Sequence, residues 1–313
     1  MKKPITVIII LLSILVFLAN STLMAAELKH TFEIGSGTIA GETEYEIKGY
    51  NPNYGNFKSL LVFPLDVEIV TLNYKNNYTS QTLNIGGIEF KYSRNINDQA
   101  GTFKDSDWFE LTGIHIKDIL GETKTKADKI EKIDFRIHSG WQPLNYNLNY
   151  TLYLGYERDN YQLTAYDGVQ RYLTDTVYFN KGEQETINGD AVDYEAVYNI
   201  PYLGAAVKTN NKRDINLSAA VFYSRWVKME DRDHHLKRDL VLEGEGEGNS
   251  LLVDLNLSYN MDLSKKIFLN IKYNNTEVDG TQTQYTTAGV YEGVNYSAKQ
   301  ESAQYEMGFG VDF

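Results

Sequence analysis

The chain of 313 residues contains no cysteine and only five prolines. Without cysteine there is no disulfide framework, no thiol chemistry and no attachment site for the lipid anchor of a lipoprotein. Basic residues are in the minority, with 30 lysines and arginines against 42 aspartates and glutamates and a net charge of −12. Such a chain lacks the basic patch that nucleic-acid binding requires. The segment most similar to a glycine-rich phosphate loop runs from Gly244 to Gly248. Its glycines alternate with glutamates, which would repel phosphate.

Long apolar runs are also scarce, and the clearest one lies near the N-terminus. Two lysines precede an apolar segment that ends at Ala19, and the small pair Ala25-Ala26 follows. This order is typical of a secretory signal peptide, and the run is shorter than the roughly 20 residues of a membrane-spanning helix. The sequence therefore predicts a signal peptide at residues 1–26 and a single exported domain at residues 27–313. A retained membrane anchor is the alternative.

The exported part is polar overall, but several of its segments alternate between apolar and polar residues. Alternation of period two indicates a β-strand with one apolar and one polar face. Each segment covers about ten residues and its apolar stripe is bounded by aromatic residues, as in strands that face lipid between two aromatic girdles. The clearest segments are residues 146–156, 251–259, 267–273 and 305–313.

Counting these segments predicts ten strands, an even number that closes a single-chain antiparallel barrel. Short polar connections at residues 75–77, 142–143, 210–212 and 263–265 predict tight turns at one end, and longer connections predict outward-facing loops at the other end. The chain ends on Phe313, which resembles the assembly signal of outer-membrane barrels. We therefore expect an all-β fold, a ten-stranded antiparallel transmembrane β-barrel of the outer-membrane type. The predicted strands are residues 29–50, 57–75, 79–94, 127–142, 144–166, 191–209, 214–230, 248–262, 266–278 and 299–313, and the predicted long loops are 51–56, 95–126, 167–190, 231–247 and 279–298.

Two acidic motifs stand where alternating segments end, and both fall on predicted loops. They are Asp231-Arg232-Asp233-His234-His235 and Asp105-Ser106-Asp107-Trp108. A carboxylate two residues from an imidazole can form an acid–base pair, in which the ring takes a proton from water. A hydrated surface loop that happens to contain histidine is the alternative. A metal site would need three or four ligands, and no metal-ligand spacing accompanies the two histidines.

Three further motifs accompany the acidic pairs. They are Gly37-Thr38-Ile39-Ala40-Gly41, Ile200-Pro201-Tyr202-Leu203-Gly204 and Tyr223-Ser224-Arg225-Trp226-Val227. In this order the five motifs resemble the omptin family of outer-membrane proteases, and the resemblance covers nearly the whole exported chain. It implies a ten-stranded barrel that extends beyond the membrane, with a cleft at its outer end and two catalytic pairs on opposite walls.

The resemblance also implies a role for each acidic motif. Asp233 and His235 are expected to activate the water that attacks a peptide bond, and Asp105 and Asp107 to form the facing acidic pair. Two close carboxyl groups resist simultaneous ionisation, so one of them can hold a proton and help to position the water. His235 is assigned rather than His234, because residues two places apart share one face of an extended chain.

Substrate preference and lipid dependence are further implications of the resemblance. Omptins cut next to basic residues, and Asp231 stands where the family has an acidic pocket residue, whereas Tyr45 stands at a second such position. Omptins use lipopolysaccharide as an activator, but Asn160 and Val197 occupy the places of its phosphate-binding arginines, so these basic contacts are not matched. We expect no other cofactor and no metal. The expected partners are peptide or protein substrates and outer-membrane lipid, for a monomer whose site faces the cell exterior.

Two other functions stay open at this point. A non-enzymatic barrel, either an adhesin or a structural surface protein, would keep the fold and a vestigial site. A diffusion porin is the third alternative, although side chains such as Tyr153, Phe222 and Trp226 are expected to fill a ten-stranded barrel. The leading prediction is an omptin-like endopeptidase that cleaves peptides near basic residues, with water activated by an Asp/His pair at the extracellular mouth.

Overall fold

In the computed structural model, one antiparallel sheet closes on itself. The structure describes residues 27–51, 55–79, 84–110, 115–141, 148–175, 180–209, 215–238, 240–262, 264–287 and 289–313. Within these ranges, no helix is long and apolar enough to cross a membrane. The strands are β1 (Glu27–Asn51), β2 (Gly55–Pro64), β3 (Val67–Thr79), β4 (Asn84–Asn95), β5 (Gln99–Glu110), β6 (His115–Trp141), β7 (Leu148–Tyr172), β8 (Gln184–Thr209), β9 (Ile215–His235), β10 (Leu240–Asn260), β11 (Lys265–Thr286) and β12 (Gly289–Asp312).

Two of the barrel strands are interrupted halfway. β2 and β3 are separated at Leu65 and Asp66, and β4 and β5 are separated at residues 96–98. β1 pairs with β3 along its first half and with β2 along its second half, and β6 pairs with β5 and then with β4 in the same way. The ring is closed by the pairing of β1 with β12. The all-β, ten-stranded antiparallel barrel is therefore confirmed.

The barrel has two unlike ends. We call the end that carries residues 27 and 313 the lower end, and the opposite end, with the hairpin between β9 and β10, the upper end. The outer wall of the lower half is apolar, whereas inward side chains at the same level are polar or charged, as in strands that face lipid. The exposed apolar residues include Phe32, Ile34, Leu72, Phe90, Leu152, Leu203, Leu217, Val221, Leu255, Leu257, Ile267, Leu269, Met307 and Phe309.

A layer of ion pairs fills the middle of the barrel. Arg136 binds the Asp134 carboxylate, and its Nε also donates to the Tyr202 hydroxyl at 3.0 Å. Two further carboxylates, of Asp254 and Glu89, lie 3.6 and 3.9 Å from its Nη1. Lys272 contacts Glu157 in the same layer. A cavity of about 870 Å³ lies below, towards the lower end. Among the described residues, the interior is thus packed with paired side chains at mid-height.

Strand β9 contains a bulge that changes which of its residues face inward. Ser224 and Val227 are both buried, whereas Arg225 and Trp226 between them are both exposed, and β9 has one residue more than β10 across this stretch. The Ser224 hydroxyl donates to the Pro201 carbonyl at 2.5 Å and accepts the Trp226 N–H at 3.2 Å. The prediction that Trp226 fills the barrel was wrong, because the bulge turns it outward, where it is 55% exposed.

Several strands extend beyond their predicted ends at the upper end. The predicted loop at 95–126 contains β5 and the first part of β6, and the predicted loop at 231–247 contains the paired ends of β9 and β10. The loop assignments were therefore wrong for both acidic motifs, which lie on strands. The reason is that the outer wall is polar here, with Glu243 as an example, so the apolar alternation stops although the backbone remains extended.

The four predicted short turns have different outcomes. The turn predicted at 75–77 was wrong, because these residues belong to β3 and Lys75 turns into the barrel, 3.2 Å from Glu33. The connection predicted at 263–265 is confirmed in its described residues, since β10 ends at Asn260 and β11 begins at Lys265. The turns predicted within 142–143 and 210–212, and the signal peptide at 1–26, lie outside the described residues.

Candidate active site

The upper end of β9 turns three predicted site residues into the barrel. Above the bulge, Asp231, Asp233 and His235 share the inward face. The Asp233 carboxylate is fully buried, and its Oδ2 lies 3.1 Å from His235 Nε2. His234 lies between Asp233 and His235 on the chain, and neighbouring residues of a strand face opposite sides. The structure therefore pairs His235, and not His234, with Asp233.

The second acidic motif approaches the same space from another wall. Asp105 and Asp107 lie on β5, which is four strands from β9 around the upper ring. Asp105 is opposite Leu61 on one neighbouring strand and Gly121 on the other. The charge of Asp105 interacts with that of His235 across the barrel. The structure thus brings both predicted pairs to one cleft at the upper end.

The pKa values of Asp105 and His235 are both raised in the cleft. Burial and the nearby charge of Asp107 raise the pKa of Asp105 to about 7, although His235 and Arg238 lower it. Burial lowers the pKa of His235, but the charge and the hydrogen bond of Asp233 outweigh burial, and the pKa of His235 lies above the ordinary histidine value. The cleft therefore combines an imidazole held by one carboxylate with an acidic pair in which one proton is retained near neutral pH.

Asp231 lies deeper than the Asp233–His235 pair, in a pocket of tyrosines. It is only 7% exposed. Burial and the charge of Asp233 raise the pKa of Asp231 to about 7, against the effect of the adjacent hydroxyls of Tyr296 and Tyr45. Tyr45, which is fully buried, donates a hydrogen bond to Gln282 Oε1 at 2.6 Å. The pocket therefore presents one carboxylate among aromatic rings.

The glycines of β10 make room for this pocket. An ideal Cβ on Gly244 would lie 2.2 Å from Asp231 Oδ1 and 3.0 Å from the Tyr296 ring, so any side chain there would displace both residues. The glutamates that alternate with these glycines, such as Glu243 and Glu245, are exposed on the outer wall. The alternation of Glu and Gly is thus a strand pattern, with glycine on the inner face and charge on the outer face.

Comparison with known proteins assigns the family. The sequence model of the Omptin family matches residues 29–313. The chain belongs to the omptin family. A curated relative, the plasminogen activator of Yersinia pestis, is 25% identical over 189 residues, which cover 59% of this chain and 58% of that protein. The chain thus matches little more than half of that relative's length.

A solved structure supports the fold. The outer membrane protease OmpT of Escherichia coli superposes with a TM-score of 0.76, at 16% sequence identity, over 91% of this chain and 97% of that chain. At this level of identity the likeness concerns the fold alone. The present omptin therefore has an antiparallel β-barrel of the outer-membrane type, as its sequence predicts.

The omptin site includes residues that sequence reasoning missed. Gln282 and Tyr296 join the Asp231 pocket from β11 and β12, and Arg238, in the hairpin after β9, influences the pKa of both Asp105 and His235. No local pattern marks the first two, because Tyr296 reaches Asp231 and Gln282 reaches Tyr45 only when the barrel closes. Arg238 could have been considered from its position three residues after His235. No cluster of metal-ligating side chains is present in the described parts of the chain.

Proposed function

We propose that this omptin is an outer-membrane endopeptidase that hydrolyses peptide bonds with water activated by Asp233 and His235. The observation that carries the proposal is the buried contact of 3.1 Å between Asp233 Oδ2 and His235 Nε2, which faces Asp105 across the upper cleft. Family membership supports the general activity, and so do the names of the two similar proteins, a plasminogen activator and an outer membrane protease. The upper end would face the cell exterior.

His235 is the general base of the proposed reaction. Because Asp233 engages Nε2, the other ring nitrogen, Nδ1, is left to accept a proton from water as the water attacks the peptide carbonyl. The Asp233 carboxylate stabilises the imidazolium that results and fixes the orientation of the ring. The same proton then passes to the amine of the leaving peptide, which completes the hydrolysis without a covalent intermediate.

Asp105 and Asp107 act from the facing wall. With a pKa of about 7, Asp105 holds a proton in part of the molecules near neutral pH. In that state the acidic pair has one O–H donor and one charged oxygen, and can hydrogen-bond both the attacking water and the oxygen of the peptide carbonyl. The charge that develops on the carbonyl oxygen is then met by a donor rather than by a second negative charge.

The proposed substrates carry a basic residue beside the scissile bond. Asp231 is a buried carboxylate without a basic side chain against it in the described part of the chain. A bound ammonium or guanidinium group would supply the missing charge partner, and burial strengthens that attraction. Because Asp231 is a single carboxylate, we expect a weaker preference for basic residues than two carboxylates would give.

Peptide hydrolysis by the purified, refolded barrel tests the proposal. With lipopolysaccharide supplied, we expect wild type to cleave peptides that contain basic residues, and serine- and cysteine-directed inhibitors to have no effect. His235→Ala should lose about 10²–10⁴-fold in rate, the range of a positioned acid–base group. His234→Ala is the matched control and should stay near wild type.

Two outcomes would contradict the proposed function. Retained hydrolysis in a variant that lacks both Asp233 and His235 would remove the mechanism. Failure of the assembled wild-type protein to cleave any member of a peptide library, with and without lipopolysaccharide, would instead favour a non-enzymatic barrel with a vestigial site. Heat-dependent migration on detergent gels, which reports an intact barrel, is needed for every variant.

A further inference from the structure

Lysines surround the cavity of about 870 Å³ at the lower end of the barrel. Three of them lie on β1, β3 and β11, and each of the three contacts a carboxylate. These lysines are Lys29, Lys75 and Lys266. The carboxylates, each 3.3 Å or less from a lysine, are Glu33, Glu89 and Asp312. This wall of the cavity is therefore paired within itself.

A fourth lysine, Lys208, lines the cavity from the opposite side of the ring. It lies on β8, which is five strands from β1 around the barrel. Its direct neighbours across the sheet are Asn149 on β7 and Ser218 on β9, which also line the cavity and carry no charge. Lys208 makes no ion pair with a carboxylate in the described part of the chain. Its ammonium group is thus surrounded by neutral donors.

The balance of charge at this end leaves one cation in excess. The ammonium group of Lys208 is repelled by the three lysines of the facing wall and attracted by Glu33. Four lysines therefore share three carboxylates, which leaves one positive charge. Like charges enclosed by protein repel each other more strongly than they do in water. An anion between the two walls would remove this repulsion.

We infer that the lower cavity binds a phosphate group between Lys208 and the lysines of the facing wall. A phosphate group supplies the missing negative charge, and lysine binds phosphate well as a point charge. The amide of Asn149 and the hydroxyl of Ser218 can donate further hydrogen bonds to its oxygens. The cavity volume of about 870 Å³ is that of a small-molecule site. The inference does not depend on peptide hydrolysis in the upper cleft.

Calorimetric titration of inorganic phosphate into the folded barrel tests the inference. The protein is kept in neutral detergent at low salt, without lipopolysaccharide, because that lipid itself carries phosphate. We expect saturable binding to wild type and at least about tenfold weaker binding to Lys208→Gln, since bonds to a charged donor are the stronger ones. Lys265→Gln is the matched control, because Lys265 is exposed at the same end but does not line the cavity.

A second variant keeps Lys208 and supplies its missing partner. Asn149→Asp places a carboxylate directly across the sheet from Lys208, so it should also weaken phosphate binding by at least about tenfold. Gel migration with and without heating confirms that each variant is assembled. Absence of saturable binding to wild type would overturn the inference, and so would unchanged affinity in both cavity variants. Equal affinity for acetate, which has two oxygens and a single charge, would contradict the assignment to phosphate.

Free phosphate compounds and lipid headgroups share this chemistry, and a further titration distinguishes them. A short-chain, water-soluble phosphatidylglycerol is titrated into the same protein. Tighter binding of this lipid than of inorganic phosphate, lost in Lys208→Gln, would assign the site to a headgroup. Tighter binding of inorganic phosphate would assign it to a free phosphate compound. Failure of both to bind would leave the inference without support and contradict it.

Discussion

Deletion of Arg225 tests how strand β9 orients the residues that we propose to be catalytic. Removing one residue from a regular strand turns every following side chain to the other face. In β9, Arg225 and Trp226 together occupy the place of one outward residue, and β9 has one residue more than either neighbouring strand across this stretch. The deletion should therefore leave a regular ladder in which Asp233 and His235 still face inward, in an assembled and active barrel.

The expected loss is small because the deletion removes few contacts. Arg225 is exposed, and the contact most directly affected is the hydrogen bond of 3.2 Å from the Trp226 N–H to the Ser224 hydroxyl. One such bond contributes about 1 kcal/mol to stability. An effect of that size on the geometry of the site corresponds to less than about tenfold in rate. We expect kcat/KM of the deletion variant to stay within that factor of wild type.

Deletion of Arg232 is the matched control, because it removes another exposed arginine from the same strand. If the bulge is kept, Asp233 and His235 turn outward and the site is lost. If the bulge is removed instead, Lys228 and Glu230 turn into the barrel. Burial of an unpaired charge is strongly destabilising. Neither arrangement should give an assembled and active protein.

Gel migration with and without heating measures assembly of both deletion variants, and peptide hydrolysis measures the site. An assembled but inactive Arg225 deletion would refute the reasoning, and so would an Arg232 deletion with full activity. The comparison of assembly remains informative even for a barrel that hydrolyses no peptide, because the two deletions differ only in their distance from the bulge.

Two further predictions concern the surroundings of the dyad. Arg238 lowers the pKa of His235, so Arg238→Gln should raise that pKa and move the acid limb of the pH–rate profile to higher pH. Lys237→Gln is the control and should leave the acid limb in place. Equal shifts of the acid limb in both variants would contradict this prediction. Gly244→Ala should bring a Cβ into collision with the Asp231 carboxylate. With barrel assembly preserved, we expect kcat/KM for cleavage next to basic residues to fall by at least about tenfold. An unchanged kcat/KM would show that Asp231 does not hold the substrate.

The sequence was informative where the chain obeys a period of two. The spacing of Asp233 and His235 predicts a shared face, and the structure has both on the inner face. Which face that is could not be predicted, because the bulge at Arg225 and Trp226 shifts the inward positions from even to odd numbers. Its stabilising contact, from the Ser224 hydroxyl to the Pro201 carbonyl, joins two strands and leaves no local pattern in the sequence.

The ends of the strands were misjudged for a related reason. Apolar alternation marks a strand only where one of its faces meets lipid. Above that level, β9 and β10 stay paired as far as His235 and Leu240, with polar or charged residues on their outer face. The Asp231 pocket was incomplete in the sequence because Tyr45 and Gln282 are separated by 237 residues, and only closure of the barrel joins them.

The ion-pair layer below the cleft determines how a substrate can reach it. Asp134 and Arg136 lie between the Asp231 pocket and the lower cavity, and Lys272 and Glu157 occupy the same level. Opening a passage would require breaking buried ion pairs, each of which is costly to separate because it leaves an uncompensated charge. In the proposed reaction, a peptide would therefore enter and leave the cleft through the upper end. A basic side chain that binds at Asp231, as proposed, would then lie above this layer of ion pairs.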